Sequence, residues 1–239
     1  MTRPWQSSRG IALVLALLAV AFFSAVAGGL VLSSLVGRSV AANYEESTEL
    51  ANVGDSALEL AARELAQIAN WNDVLGGART SAIVDGLPGR RVLPDGTTID
   101  LIVLTNERTC GRAGPCTNAQ VSAYTSDRPW GPNNPRWRLF VHAPFPALPA
   151  LPRPVADAYV VVWIGDDARE IDGDPVVDGG GAGLEGRYVV RARVESFGAR
   201  GARHTIEAEL ARACLVEAGI ERCAPGVRVL AWRAATAAP

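Results

Sequence analysis

Hydrophobic and polar positions change period twice along this chain. From Ile11 to Val36 there are 26 residues without a charge. A helix of that length spans about 39 Å, more than the roughly 30 Å of a bilayer core. Beyond it, Leu50, Val53, Ala57, Ala61, Leu65, Ile68, Trp71 and Leu75 recur at steps of three or four, with Asn52, Asp55, Glu59, Arg63 and Gln67 between them. That is the apolar stripe of an amphipathic helix. No proline lies between Trp5 and Pro88. The pattern predicts one nearly continuous helix from Ile11 to Leu75, about 98 Å long, apolar all round in its first half and one-sided in its second. Gly28, Gly29 and Gly37 are its weak points, each costing about 1 kcal/mol relative to alanine.

After Leu75 the glycines at 76, 77, 86 and 89 and Pro88 mark a helix stop and a loop. The period then shortens to two. Arg91 to Leu93 and Thr97 to Thr105 flank Pro94-Asp95-Gly96, a hairpin signal. Further strands are predicted at 121–125, 136–143, 157–164, 186–197, 203–212 and 227–232. Tyr188 to Val194 and His204 to Leu210 alternate best and are joined by a glycine-bearing turn at Gly198 to Gly201. The stripe from Val53 to Leu75 needs a cover, because about 25 cal/mol is gained for each Å² of apolar surface removed from water. The expected fold class is therefore α+β: a long N-terminal helix, transmembrane and then amphipathic, packed against an antiparallel β-sheet head. Proline-dense segments at 129–135 and 144–154 read as stiff connectors, with Trp130 and Trp137 as anchors in core or loop.

Charge refines this picture at the N-terminus. All 23 basic residues are arginine and the net charge is only −2. No basic stripe interleaved with aromatics occurs, so nucleic acid is not an expected partner. Arg3 and Arg9 precede the apolar run, whereas Glu45, Glu46 and Glu49 follow it. The positive-inside rule then keeps the N-terminus in the cytoplasm and exports the rest in a single pass. Ala25-Val26-Ala27 offers the competing reading of a cleaved secretory signal, but Leu30 to Val36 continues the apolar run past it. Both readings export the body of the chain.

Arg9-Gly10 stands directly before Ile-Ala-Leu-Val-Leu-Ala-Leu-Leu, followed later by Ala41-Ala42-Asn43-Tyr44-Glu45-Glu46-Ser47 and Asp55-Ser56-Ala57-Leu58-Glu59. These stretches resemble the N-terminal region of PilX-type pilus assembly proteins, within the minor pilins and GspK-like pseudopilins of type IV filament systems, over residues 1–75. The resemblance implies a pilin-like division: residues 1–10 a cytoplasmic leader, 11–37 the transmembrane half-helix, 38–76 the amphipathic half-helix and 77–239 a periplasmic β-rich head. It implies processing at Gly10 and Ile11, where a prepilin peptidase cuts after the glycine and the new amine is methylated. It also implies an inner-membrane location before assembly, and other pilins as partners through the helix. Most pilins carry a glutamate five residues into the mature chain. Leu15 stands at that position here. An unpaired buried charge costs several kcal/mol, so the acid is useful only beside a partner amine. GspK-like pseudopilins also lack it and sit at the filament tip, so the expected function is priming or capping a filament. The alternative is a membrane-anchored extracytoplasmic binding module that does not polymerise.

Cys110, Cys116, Cys214 and Cys223 are an even set in an exported segment, which predicts disulfides. Three connectivities are open. Local pairing, 110 with 116 and 214 with 223, is expected because each pair brackets a glycine-bearing loop. Zinc is the weaker rival, since no C-x-x-C occurs and only His142 and His204 are present to assist. A second chemical candidate is the acidic stretch from Trp163 to Asp178, in which Asp166, Asp167, Asp172, Asp174 and Asp178 offer hard oxygen ligands. Its spacing does not match an EF-hand, and an acidic solvated turn is the competing reading. The resemblance to pseudopilins, whose heads include calcium loops, adds calcium as the one candidate cofactor. Catalysis is not expected: the chain has no G-x-S-x-G, no H-E-x-x-H and no phosphate-binding loop.

Overall fold

The computed structural model describes residues 9–149, 157–170, 172–179, 188–217, 220–224 and 226–235. The chain divides into two compact units, one ending at Glu45 and the other beginning at Glu46. Helix α1 (Arg9–Ala66) contributes to both. In the first unit its apolar side chains stand in the open, Ile11 at 66% exposure and its neighbours to Val36 much the same. No residue of its most hydrophobic window is buried. The segment is long and apolar enough to cross a membrane, where a helix satisfies every backbone group within itself.

The second unit is the head. Its main sheet holds five antiparallel strands in the order β3, β4, β5, β6, β9. These are β3 (Arg138–Pro144), β4 (Ala158–Asp166), β5 (Val189–Gly198), β6 (Arg203–Ala211) and β9 (Arg228–Ala234). The expected pairing of 188–194 with 204–210 is present, with Val194 opposite Ile206 and Ala192 opposite Ala208. One sheet face carries Val160, Val162, Ile164, Val194 and Leu210, which share a core with Leu50, Val53, Ala57, Ala61 and Leu65 of α1. The amphipathic stripe is thus covered as expected. The Ile206 side chain packs directly on the helix backbone at Gly54, where a Cβ would lie 2.8 Å from Ile206 Cδ1. At the start of this contact Glu46 accepts from Arg200 N and Nε at 3.1 and 2.8 Å, tying α1 to the β5–β6 turn.

Helix α1 stops nine residues before the expected end. Arg212, at the end of β6, donates through Nη2 to Leu65 O and Ile68 O at 2.9 and 2.7 Å, and its guanidinium lies 5.0 Å from the Trp71 ring. Trp71 Nε1 donates to Leu65 O at 3.0 Å. Carbonyls left over at a helix C-terminus need donors, and a cation there also meets the negative end of the helix dipole. The apolar pattern continues to Leu75 because Trp71, Val74 and Leu75 are still core residues, now from a separate short helix, α2 (Asn72–Leu75), and from Trp71 at its N-cap.

The other sheet face is buried too, which the sequence reading did not foresee. Tyr159, Val161 and Trp163 pack against Leu101, Leu104, Trp137 and Phe197. The hairpin predicted around Pro94 to Gly96 is present as β1 (Arg90–Val92) and β2 (Thr98–Asp100). The expected strand to Thr105, however, becomes helix α3 (Leu101–Cys110) after Asp100. Asp100 Oδ1 accepts from Ile102 N and Val103 N at 2.9 and 3.2 Å, an N-cap, and Gly111 closes the helix in the left-handed region at φ 73°. The strand predicted at 121–125 is likewise absent. Thr117 and Gln120 form a capping box that starts helix α4 (Asn118–Val121). A small hairpin not foreseen, β7 (Cys214–Glu217) with β8 (Ile220–Cys223), lies between β6 and β9.

Candidate functional site

Both local cysteine pairs are disulfides. Cys110 at the end of α3 joins Cys116, and Cys214 joins Cys223 directly across the β7–β8 ladder. Disulfides and the apolar helix together fit an oxidising, extracytoplasmic setting for the head. Gly10 and Ile11 fall in the first turn of α1.

The acidic stretch starts where β4 ends. Asp166 is the last residue of that strand, held opposite Val190 of β5, and only 3% exposed. The loop that follows is pinned at two places. Gly173 N donates to Asn133 Oδ1 at 2.8 Å, and Asp178 N donates to Asn72 Oδ1 of α2, also at 2.8 Å. Of the five aspartates named from sequence, the fold brings Asp166 and Asp178 together and adds Glu170, one carboxylate oxygen from each lying within 4.8 Å of the others. Asp167 and Asp174 are spent on the backbone, accepting from Arg169 N and Val176 N. Asp172 Oδ1 accepts from Asp174 N at 2.8 Å. Glu170 lies in the same acidic stretch, and its place four residues after the strand's last aspartate is a sequence signal for one turn of chain returning to the same point.

Burial pushes the Asp166 carboxyl up to about 9, and the nearby charges of Glu170, Asp178 and Asp172 push the same way. Asp166 Oδ1 is enclosed and accepts no hydrogen bond. The donor set is oxygen throughout, with no thiolate or imidazole, so it suits a hard cation and not zinc. The residues fit the candidate calcium.

Among the described residues three other ionic centres organise the head, none of them visible in the sequence. Glu195, on β5, has a side chain 0% exposed, and receives Arg108 Nε at 2.6 Å, Arg193 Nε at 2.9 Å and Arg203 Nη2. Burial alone would raise its pKa, but the three guanidinium charges outweigh burial and hold the carboxyl below its ordinary range. Arg193 Nη1 also reaches Glu207 at 2.7 Å, and Arg191 and Arg233 pair with the same Glu207. On the outer side of β3, Asp85 accepts from Arg91 Nε at 2.8 Å and from Tyr159 Oη at 3.0 Å, and faces His142 Nδ1 at 2.8 Å.

That third centre predicts a pH effect. Burial pulls the His142 pKa below 6.5, and Asp85 offsets this only in part. The folded pKa is depressed, so the contribution of His142 to stability is whole above its unfolded value and is lost as pH falls through the folded one. The melting-temperature advantage of the parent chain over His142→Gln is therefore expected to narrow between pH 7 and pH 5. A difference that stays constant over that range contradicts the assignment.

No protein-family model, curated protein or solved structure matches the chain.

Proposed function

We propose that this chain is a minor pilin or pseudopilin-like subunit, anchored in the inner membrane by Ile11 to Val36 and then packed by the same helix into a type IV filament, which it primes or caps. The observation that carries the reading is the division of labour along α1. From Leu50 onward its apolar side chains form the core of the head, whereas those from Ile11 to Val40 are exposed. Such a half-helix is unfavourable in water and needs either lipid or a bundle of like helices. Gly28, Gly29 and Gly37 support the bundle, since a Cβ at each would meet nothing within 4 Å in this chain and another helix can therefore approach. Leu15, in place of the usual pilin acid, supports a position at the end of the filament, where no neighbouring amine has to be matched. The orientation follows the arginines before the run and the glutamates after it, with the head in the periplasm. The disulfides are consistent with that compartment.

Deletion of the protein in its host, with filaments counted and the N-terminus of the membrane-bound chain read by mass spectrometry, tests this. Few or shorter filaments are expected, together with a mature chain that begins at a methylated Ile11. Normal filaments with a retained leader favour the membrane-anchored binding module. A chain that ends the secretion step at Ala27 or Gly28 and is freely soluble overturns both.

A further inference from the structure

We propose that Asp166, Glu170 and Asp178 form a binding site for a divalent cation of calcium's class, which joins the end of β4 to the loop that leads back to β5. The site lies wholly within the second unit and stands whether or not the chain polymerises.

The geometry is that of a single ion. Calcium takes oxygens at 2.3–2.6 Å, so two ligands on opposite sides of it are separated by about 5 Å at most. The three carboxylate oxygens lie within 4.8 Å of one another, and one centre reaches all of them. Three protein carboxylates on a strand end and its loop suit calcium better than magnesium, which dehydrates reluctantly and usually keeps one or two carboxylates with several waters. Backbone carbonyls and water complete a shell of six to eight.

A second observation is independent of the clustering. Asp166 is 3% exposed, and its Oδ1 is enclosed with no hydrogen-bond donor. The ladder with Val190 fixes the backbone of Asp166, so the side chain is held inside the head. A buried carboxylate oxygen without a donor has lost its water, and either a proton or a cation must supply the missing partner. The same loop encloses Asp172 Oδ2, which also accepts no hydrogen bond and is an available fourth oxygen. Asp178 is aligned from outside the loop: its N–H is held by Asn72 and one of its oxygens accepts from Tyr188 N at 2.7 Å.

The test uses the full chain in detergent micelles, first stripped with a chelator and then titrated calorimetrically with calcium chloride and with magnesium chloride. Saturable heat with calcium at one equivalent is expected, tighter than with magnesium. At calcium a hundredfold above its dissociation constant, the head should melt about 5–10 °C higher than in chelator. Asp166→Asn and Glu170→Gln, both nearly isosteric, should lose the heat and the rise in melting temperature while keeping the parent's circular dichroism. Asp174→Asn, whose carboxylate accepts from Val176 N in the local turn, should retain both. The proposal is overturned by a parent chain that gives no heat and melts alike with calcium and chelator. Full binding retained in Asp166→Asn overturns the ligand assignment, and tighter binding of magnesium overturns the assignment of ion class.

Discussion

Leu65→Asp is expected to leave the head unfolded at room temperature. Leu65 is fully buried, in the core shared by α1 and the inner face of the sheet. Removing its side chain from such a place costs about 2–5 kcal/mol by itself, from lost transfer energy and the cavity left behind. The aspartate adds a second penalty. Its charge must be buried without a partner, or its carboxyl must take up a proton, either of which costs further kcal/mol. The sum is comparable with the entire margin of about 5–15 kcal/mol by which a domain is stable. Leu65→Met, close in volume, is the control and should cost less than about 1.5 kcal/mol. Near-ultraviolet circular dichroism of the full chain in micelles reads the outcome through the buried tryptophans. The apolar part of α1, from Ile11 to Val36, should keep its helical signal in both variants, because its hydrogen bonds are internal to the helix. An unchanged melting temperature for Leu65→Asp would mean that α1 does not form the core of the head.

The second large effect is expected at Glu195. Glu195→Gln keeps the volume but removes the negative charge on which Arg108, Arg193 and Arg203 converge. Breaking a buried ion pair on one side costs about 3–5 kcal/mol, chiefly because the other side is left charged and unmatched. For a domain of this size that corresponds to a loss on the order of 10 °C in melting temperature. The cause can be separated from simple loss of packing. Among the described residues Arg108 pairs with Glu195 alone, whereas Arg193 also serves Glu207. Adding Arg108→Gln to Glu195→Gln should therefore recover part of the loss, so that the double variant is more stable than the sum of the single effects allows. Strict additivity would show that the charges around Glu195 do not act together. These three guanidinium groups are not merely solvated charges, because the partner they share is buried.

Features held by neighbouring residues were legible before any coordinates. Twenty-six uncharged residues can only be a long apolar helix, and the three-four spacing from Leu50 to Leu65 marks which side of α1 is covered. The β1–β2 and β5–β6 hairpins and the two short disulfide loops follow from turn residues and from separations of a few residues. The missed α3 belongs with these in principle. Asp100 and Gly111 are cap residues, and the β-branched residues Ile99, Ile102, Val103 and Thr105 concealed them by suggesting a strand.

Other features depend on chain segments far apart in sequence. α1 ends at Ala66 because Arg212, some 146 residues later, reaches its last carbonyls from the end of β6. Arg108 meets Glu195 across 87 residues, and β4 is covered on both faces only because α3 and α1 settle on opposite sides of one sheet. The acidic loop combines the two cases. Its composition alone showed an abundance of carboxylates, but which of them converge was decided by where β4 stops and by Asn72 and Asn133 holding the loop. Periodicity records which side of an element avoids water, and that is a local matter of 3.6 or 2 residues per repeat. Which charges meet is set by strand register and by packing between distant elements, and no spacing within one segment records that.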